Sequence, residues 1–205
     1  MQMFFRTLIV SLALFLTCAA LAHAADSQVG VLEIDPSKTL VEFRLGGSLH
    51  TTHGTFQLRR GTIKADGGSG NAEGIVIVDA ASGDSGEKMR DDRMKEKVLE
   101  TNLYPEITFF PRRIDAHLDP GGAFSGRIEG VLKLHGDDHD ITVNTQGTLV
   151  GDSLVATAHF SVPYVEWGLH DPSVLFLKVE KSVDIDIATA GHVTWTNAKS
   201  SDSSK

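Results

Sequence analysis

Short runs in which apolar and polar residues alternate recur through most of this chain, and that period of two restricts it to strands rather than helices. Val41, Phe43 and Leu45 alternate with Glu42 and Arg44, and Phe56 and Leu58 with Gln57 and Arg59. Val76, Val78 and Ala80 alternate with Ile75, Ile77 and Asp79, and Ile107 and Phe109 form a further pair. Ile128, Gly130, Leu132 and Leu134 alternate with Glu129, Val131 and Lys133, and Ile141 and Val143 with Thr142 and Asn144. Leu154, Ala156, Ala158 and Phe160 alternate with Thr157 and His159, and Val183, Ile185 and Ile187 with Asp184 and Asp186. Turn residues separate the runs, at Gly46-Gly47, Asp66-Gly67-Gly68, Pro120-Gly121-Gly122, Gly136-Asp137 and Gly151-Asp152. About eight strands with one apolar face each must pack as a sandwich or close into a barrel, and alternation alone does not choose.

One stretch breaks the pattern. Glu87 to Glu100 is charged and lacks Gly and Pro, while Met94, Val98 and Leu99, with Met89, recur at helical spacing. This predicts a short helix at about 86–99, capped near Asp84 or Ser85. The N-terminus reads as a signal peptide over 1–24: Arg6, then an apolar core from Leu8 to Leu21, then Ala22-His23-Ala24. That core is shorter than the ~20 residues a membrane-spanning helix needs. The single cysteine, Cys18, lies inside it, so cleavage leaves no thiol for a disulfide, a zinc site or a nucleophile. Residues 25–30 read as a lead-in, 31–191 as one domain, and 197–205, rich in Ser, Lys and Asp, as a disordered tail.

The formal net charge of −8 over 205 residues argues against nucleic acid, which demands a concentrated basic face. The histidine pairs His50/His53 and His135/His139 have a spacing zinc tolerates, with Asp137, Asp138 and Asp140 nearby. Both pairs fall at turns, where exposed histidine is ordinary, so neither is assigned as a metal site. Serines are plentiful, but no Gly-x-Ser-x-Gly elbow occurs, and Ser82-Gly83-Asp84-Ser85-Gly86 reads as a loop and cap. Asp91-Asp92 and Asp184/Asp186 read as solvated carboxylates, and Gly67-Gly68-Ser69-Gly70 lacks the Lys-Ser/Thr of a phosphate loop. Arg90 and Arg93, three apart on the expected helix, share a face; they serve either to anchor the helix through ion pairs or to touch a polar headgroup.

Several phrases in order resemble the YceI family of polyisoprenoid-binding, lipocalin-like periplasmic proteins. They are Ile34-Asp35-Pro36-Ser37-Lys38-Thr39-Leu40-Val41-Glu42-Phe43, Gly54-Thr55-Phe56, Arg90-Asp91-Asp92-Arg93-Met94, Tyr104-Pro105-Glu106-Ile107-Thr108-Phe109, and Gly130-Val131-Leu132-Lys133-Leu134-His135-Gly136. The chain departs from the commoner family pattern at Lys97 to Thr101 and at Pro163 to Ser173. The resemblance implies an eight-stranded antiparallel barrel with one short helix near its mouth. It also implies non-catalytic binding, storage or transport of a long-chain isoprenoid or fatty-acid-like lipid in a periplasmic or secreted protein, without a cofactor. The ligand wall is then expected from the inward set Val41, Phe43, Phe56, Leu58, Val76, Val78, Phe109, Ile128, Leu132, Leu134, Phe160 and Ile185. Trp167, which with Tyr164 flanks Gly168, either closes the mouth or packs on its rim. The alternatives are a metal-binding or hydrolytic protein using the histidine pairs, or a scaffold whose acidic surface docks a membrane redox partner. A homodimer is compatible with either.

Overall fold

The computed structural model describes residues 28–173 and 178–197. The expected signal peptide and the tail beyond Asn197 lie outside the described residues. Nine strand segments follow one another: β1 (Gln28–Ile34), β2 (Leu40–Leu45), β3 (Thr52–Asp66), β4 (Ala72–Asp84), β5 (Glu106–Leu118), β6 (Ala123–Leu134), β7 (Asp137–Val150), β8 (Ser153–Val162) and β9 (Val183–Asn197).

From β3 to β9 each strand pairs antiparallel with the next. β1 and β2 share the remaining position. β1 pairs with the second half of β3 and with the end of β9, from Val29↔Asp66 and Val29↔Thr196 upward. β2 continues the same two ladders, with Phe43 opposite Gly54 on one side and Ile185 on the other. Nine segments therefore make an eight-stranded closed barrel, although the β4–β5 ladder spans only Val76↔Phe109 to Asp79↔Glu106. The break between β1 and β2 is a 3₁₀ turn at Pro36–Lys38, whose first residue has no N–H to give a ladder. The Asp35 carboxylate accepts the Ser37 N–H (2.9 Å) and hydroxyl (2.6 Å) and fixes the turn.

The residues expected to be a lead-in are structured from Gln28 onward, and β9 extends to Asn197. The sequence hides β1 because Gly30 occupies one of its inward positions, so the apolar alternation is interrupted.

Between β4 and β5 the chain forms α1 (Lys88–Arg93), which widens into a π-helical turn at Met94–Val98. The cap is Glu87, not Asp84 or Ser85: its carboxylate accepts the backbone N–H groups of Met89 (3.1 Å) and Arg90 (2.8 Å). In the wide turn the Leu99 N–H bonds the Met94 carbonyl at 2.9 Å. Met94, Val98 and Leu99 all reach the barrel interior. Leu99 packs with Leu132, Leu134, Val162, Tyr164 and Leu169 in a buried cluster at this end. Outward positions carry ion pairs such as Arg59 with Asp79 (3.0 Å) and Glu106 (2.9 Å), and Arg127 with Asp115 (2.8 Å). These exposed pairs stabilise little individually.

Candidate functional site

Inward positions on every strand surround a cavity of about 820 Å³, near the upper end of the range for small-molecule sites. Its walls run from Ala65, Leu118, Phe124 and Trp195 at one end of the barrel to Ser85, Met89, Arg90 and Arg93 at the helix end. The hollow is thus a passage along the barrel axis rather than a surface dent.

An eight-stranded barrel can be filled by its own side chains or left hollow, and two observations place this one in the second class. Small residues stand at inward positions, among them Ala65, Ala116, Ala156 and Ala158. Among the described residues no large side chain is fully buried; Phe56, Phe109, Ile128, Phe160 and Ile185 point inward yet remain only partly covered, because they face open space.

All the expected strand residues line the cavity. Val41 and Phe43 do so from β2, Phe56 and Leu58 from β3, and Val76 and Val78 from β4. Phe109 lines it from β5, Ile128, Leu132 and Leu134 from β6, Phe160 from β8 and Ile185 from β9. Trp167 does not line it. Its ring stacks on His139, centroids 3.9 Å apart and planes 3° apart. Tyr164 is the member of that pair that reaches the cavity. Its hydroxyl donates to the Glu180 carbonyl at 2.8 Å, and burial, with Asp171 adding to it, pushes its pKa up to about 12. Trp195 and Val193 also line the cavity but fall outside the expected set, although extending the alternation of Val183, Ile185 and Ile187 along β9 arrives at both.

The interior offers few polar groups among the described residues, and several of these are engaged with one another or with the backbone. The Thr39 and Thr189 hydroxyls bond one another at 2.7 Å, and Thr145 donates to the Thr157 carbonyl at 3.1 Å. Among the described residues, the charged side chains lining the cavity are Glu87, Arg90 and Arg93, all at the helix end. Glu87 is engaged as the helix cap. Arg90 donates from Nε to the Ser85 hydroxyl (2.7 Å) and from Nη2 to the Ser85 carbonyl (2.8 Å). Asp91 takes the Ser85 backbone N–H at 2.9 Å, and its hydroxyl as well. Burial raises the Asp91 pKa, but the two Ser85 bonds, together with the charges of Lys95 and Arg90, hold the carboxyl below the usual value. The expected ion-pair anchor is therefore replaced by a serine hub. Arg44, Arg59, Arg112 and Arg127 pair with carboxylates; among the described residues Arg60, Arg90, Arg93 and Arg113 do not, and of these four only Arg90 and Arg93 line the cavity.

The histidine pairs do not converge on a metal geometry, and among the described residues no group of three or more His, Cys, Asp or Glu side chains is arranged to hold an ion. His50 and His53 are exposed. His135 bonds Glu100 through Nε2 at 2.5 Å, beside the Tyr104 ring. Ser82 is held between the Asp79 carbonyl (2.6 Å) and the Gln57 N–H (2.8 Å).

A family model described as a YceI-like domain matches residues 32–190. Among solved structures, BcnA of Burkholderia cenocepacia superposes with a TM-score of 0.61 at 21% identity, over 77% of this chain and 98% of that one. A polyisoprenoid-binding domain from Saccharophagus degradans, implicated in plant cell wall breakdown, gives 0.58 at 16%, over 80% of this chain and 98% of that one. A Campylobacter jejuni YceI protein gives 0.50 at 16%, over 68% and 80%. At these identities the likeness is one of fold. No curated protein matches the chain in sequence.

Proposed function

The chain belongs to the YceI-like family, and from that membership and the passage along its axis we propose that it binds one long-chain apolar molecule, an isoprenoid or fatty-acid-like lipid, without transforming it. The observation that carries this reading is the apolar cavity whose charged lining, among the described residues, lies at one end. Each buried CH₂ stabilises the complex by about 0.8 kcal/mol, so a ten-carbon stretch contributes roughly 8 kcal/mol before ordering costs. The named specificity of the Saccharophagus domain supports the same class of ligand.

The dimensions favour a long chain. Cavity walls extend along the whole of β3, from Thr52 to beyond Ala65. At about 3.3 Å per residue and a strand tilt near 40°, that spans roughly 35–40 Å. The hydrocarbon core of a bilayer, two leaflets deep, is about 30 Å. The passage therefore exceeds a single leaflet's acyl tail about twofold, which suits a polyprenyl chain better than an ordinary fatty acid. In this reading the segment at 1–24 directs export, and the mature barrel carries or stores lipid in an aqueous compartment.

Native mass spectrometry of protein purified without detergent tests the proposal. One lipid per chain, released by organic solvent, is the expected result. A barrel that emerges empty and takes up no fluorescent long-chain probe overturns it.

A further inference from the structure

We infer that the ligand of this cavity is an acid: an amphiphile with a single anionic head, carboxylate or phosphate monoester, received by Arg90 and Arg93 at the helix end while its tail fills the barrel. The inference rests on the lipid-binding reading above and adds the chemical class of the head.

Three observations carry it. First, among the described residues, charge in the cavity wall is confined to one end, where two cations face one acid. That acid, Glu87, already receives two backbone N–H groups at the start of α1, so its charge is engaged with the helix. Second, among the described residues Arg93 has no carboxylate within ion-pair distance, and Arg90 reaches one only through the Ser85 hydroxyl, which accepts from Arg90 and donates to Asp91. Third, Arg90 is pre-oriented. Its Nε and Nη2 are fixed on Ser85, which leaves Nη1 as a donor at the mouth without further ordering cost. A guanidinium placed this way suits a carboxylate or phosphate oxygen, whose charge-assisted bonds are about twice as strong as neutral ones. A neutral head would leave Arg93 without a counter-charge beside an apolar wall.

The test compares hexadecanoate, hexadecyl phosphate and hexadecanol as competitors for a bound fluorescent long-chain probe, at a pH where the carboxyl is ionised. Arg93→Gln carries the test, because Arg93 is exposed and no contact described within the chain depends on its charge; Arg93→Lys is the conservative variant. We expect at least one anion to bind the unaltered protein about tenfold tighter than the alcohol. Arg93→Gln should remove most of that margin and leave hexadecanol affinity unchanged, and Arg93→Lys should restore part of it. The anion that loses more on Arg93→Gln is the head the site prefers. Equal binding of acids and alcohol by the unaltered protein overturns the inference while leaving lipid binding intact. So does an equal loss for all three ligands in Arg93→Gln, which would mark a packing role. Failure of all three to displace a bound probe overturns the inference while leaving lipid binding intact, whereas failure of the probe itself to bind overturns both readings.

Discussion

His139 and Trp167 lie face to face, ring centroids 3.9 Å apart and planes 3° apart. The pair exists because β7 and β8 part company near the helix end. Their ladder stops at Asn144↔His159, and the loop after β8 folds back so that Trp167 covers His139, which stands opposite the cavity residue Leu132. Among the described residues the His139 Nε2 is buried without a hydrogen-bond partner, and a buried polar atom in that state is destabilising. His139→Leu is thus expected to be neutral or stabilising by up to about 1 kcal/mol, whereas Trp167→Ala should cost about 2–3 kcal/mol. Urea midpoints check both. A large loss in His139→Leu would mean that the nitrogen is used.

Ala158 lies in the cavity wall, flanked along β8 by Ala156 and Phe160. In a packed core Ala158→Phe would be overpacked and would cost about 1–3 kcal/mol. In this barrel the added ring enters empty space, so the urea midpoint should hold or rise. Bound lipid per chain, read by native mass spectrometry, should fall. Loss of stability with lipid retained would argue that the interior is filled.

A Cβ placed on Gly54 would collide with the Phe43 ring and lie 2.5 Å from the Asp84 carbonyl oxygen. Glycine is required there by this close approach rather than by its backbone angle. Gly54→Ala is expected to cost about 1–3 kcal/mol. In a double-mutant cycle Phe43→Leu should relieve only the ring's share, since the carbonyl remains; additive costs would show that the ring does not crowd the site.

The wall of the barrel is legible in residues such as Val41, Phe43, Leu132 and Ile185, because a strand with one apolar face writes that face into alternate positions. The hollow is not. Phe56 and Phe160 would alternate identically in a filled core, and what leaves the space open is the joint geometry of small residues from different strands, Ala65, Ala116 and Ala158 among them, which no single run reveals. Arg90 and Arg93 are legible as a pair on one helical face, but not the Ser85 hydroxyl that stands between Arg90 and Asp91. Local sequence places Trp167 no more closely than near the mouth. Its partner His139 lies 28 residues earlier on another strand, a contact that only closure of the barrel creates.

The Ser85–Asp91 contact gives the mouth a dependence on pH with a definite sign. The folded-state pKa of Asp91 lies below its usual value because the Ser85 bonds and the charges of Lys95 and Arg90, opposing the effect of burial, favour the charged form. A group depressed in this way contributes stability in full above its unfolded pKa, near 4, and loses it as pH falls through the lower folded value. At neutral pH Asp91→Asn should therefore cost about 1–2 kcal/mol, felt first in the loop that holds Arg90. As pH drops below about 4 the gap between variant and unaltered protein should close, because the unaltered carboxyl is itself being protonated. Thermal melts of both proteins from neutral to acid pH measure that gap. A gap that stays constant across the range would show that Asp91 acts by shape rather than by charge. The Ser85 hydroxyl would then no longer link the charge of Asp91 to Arg90.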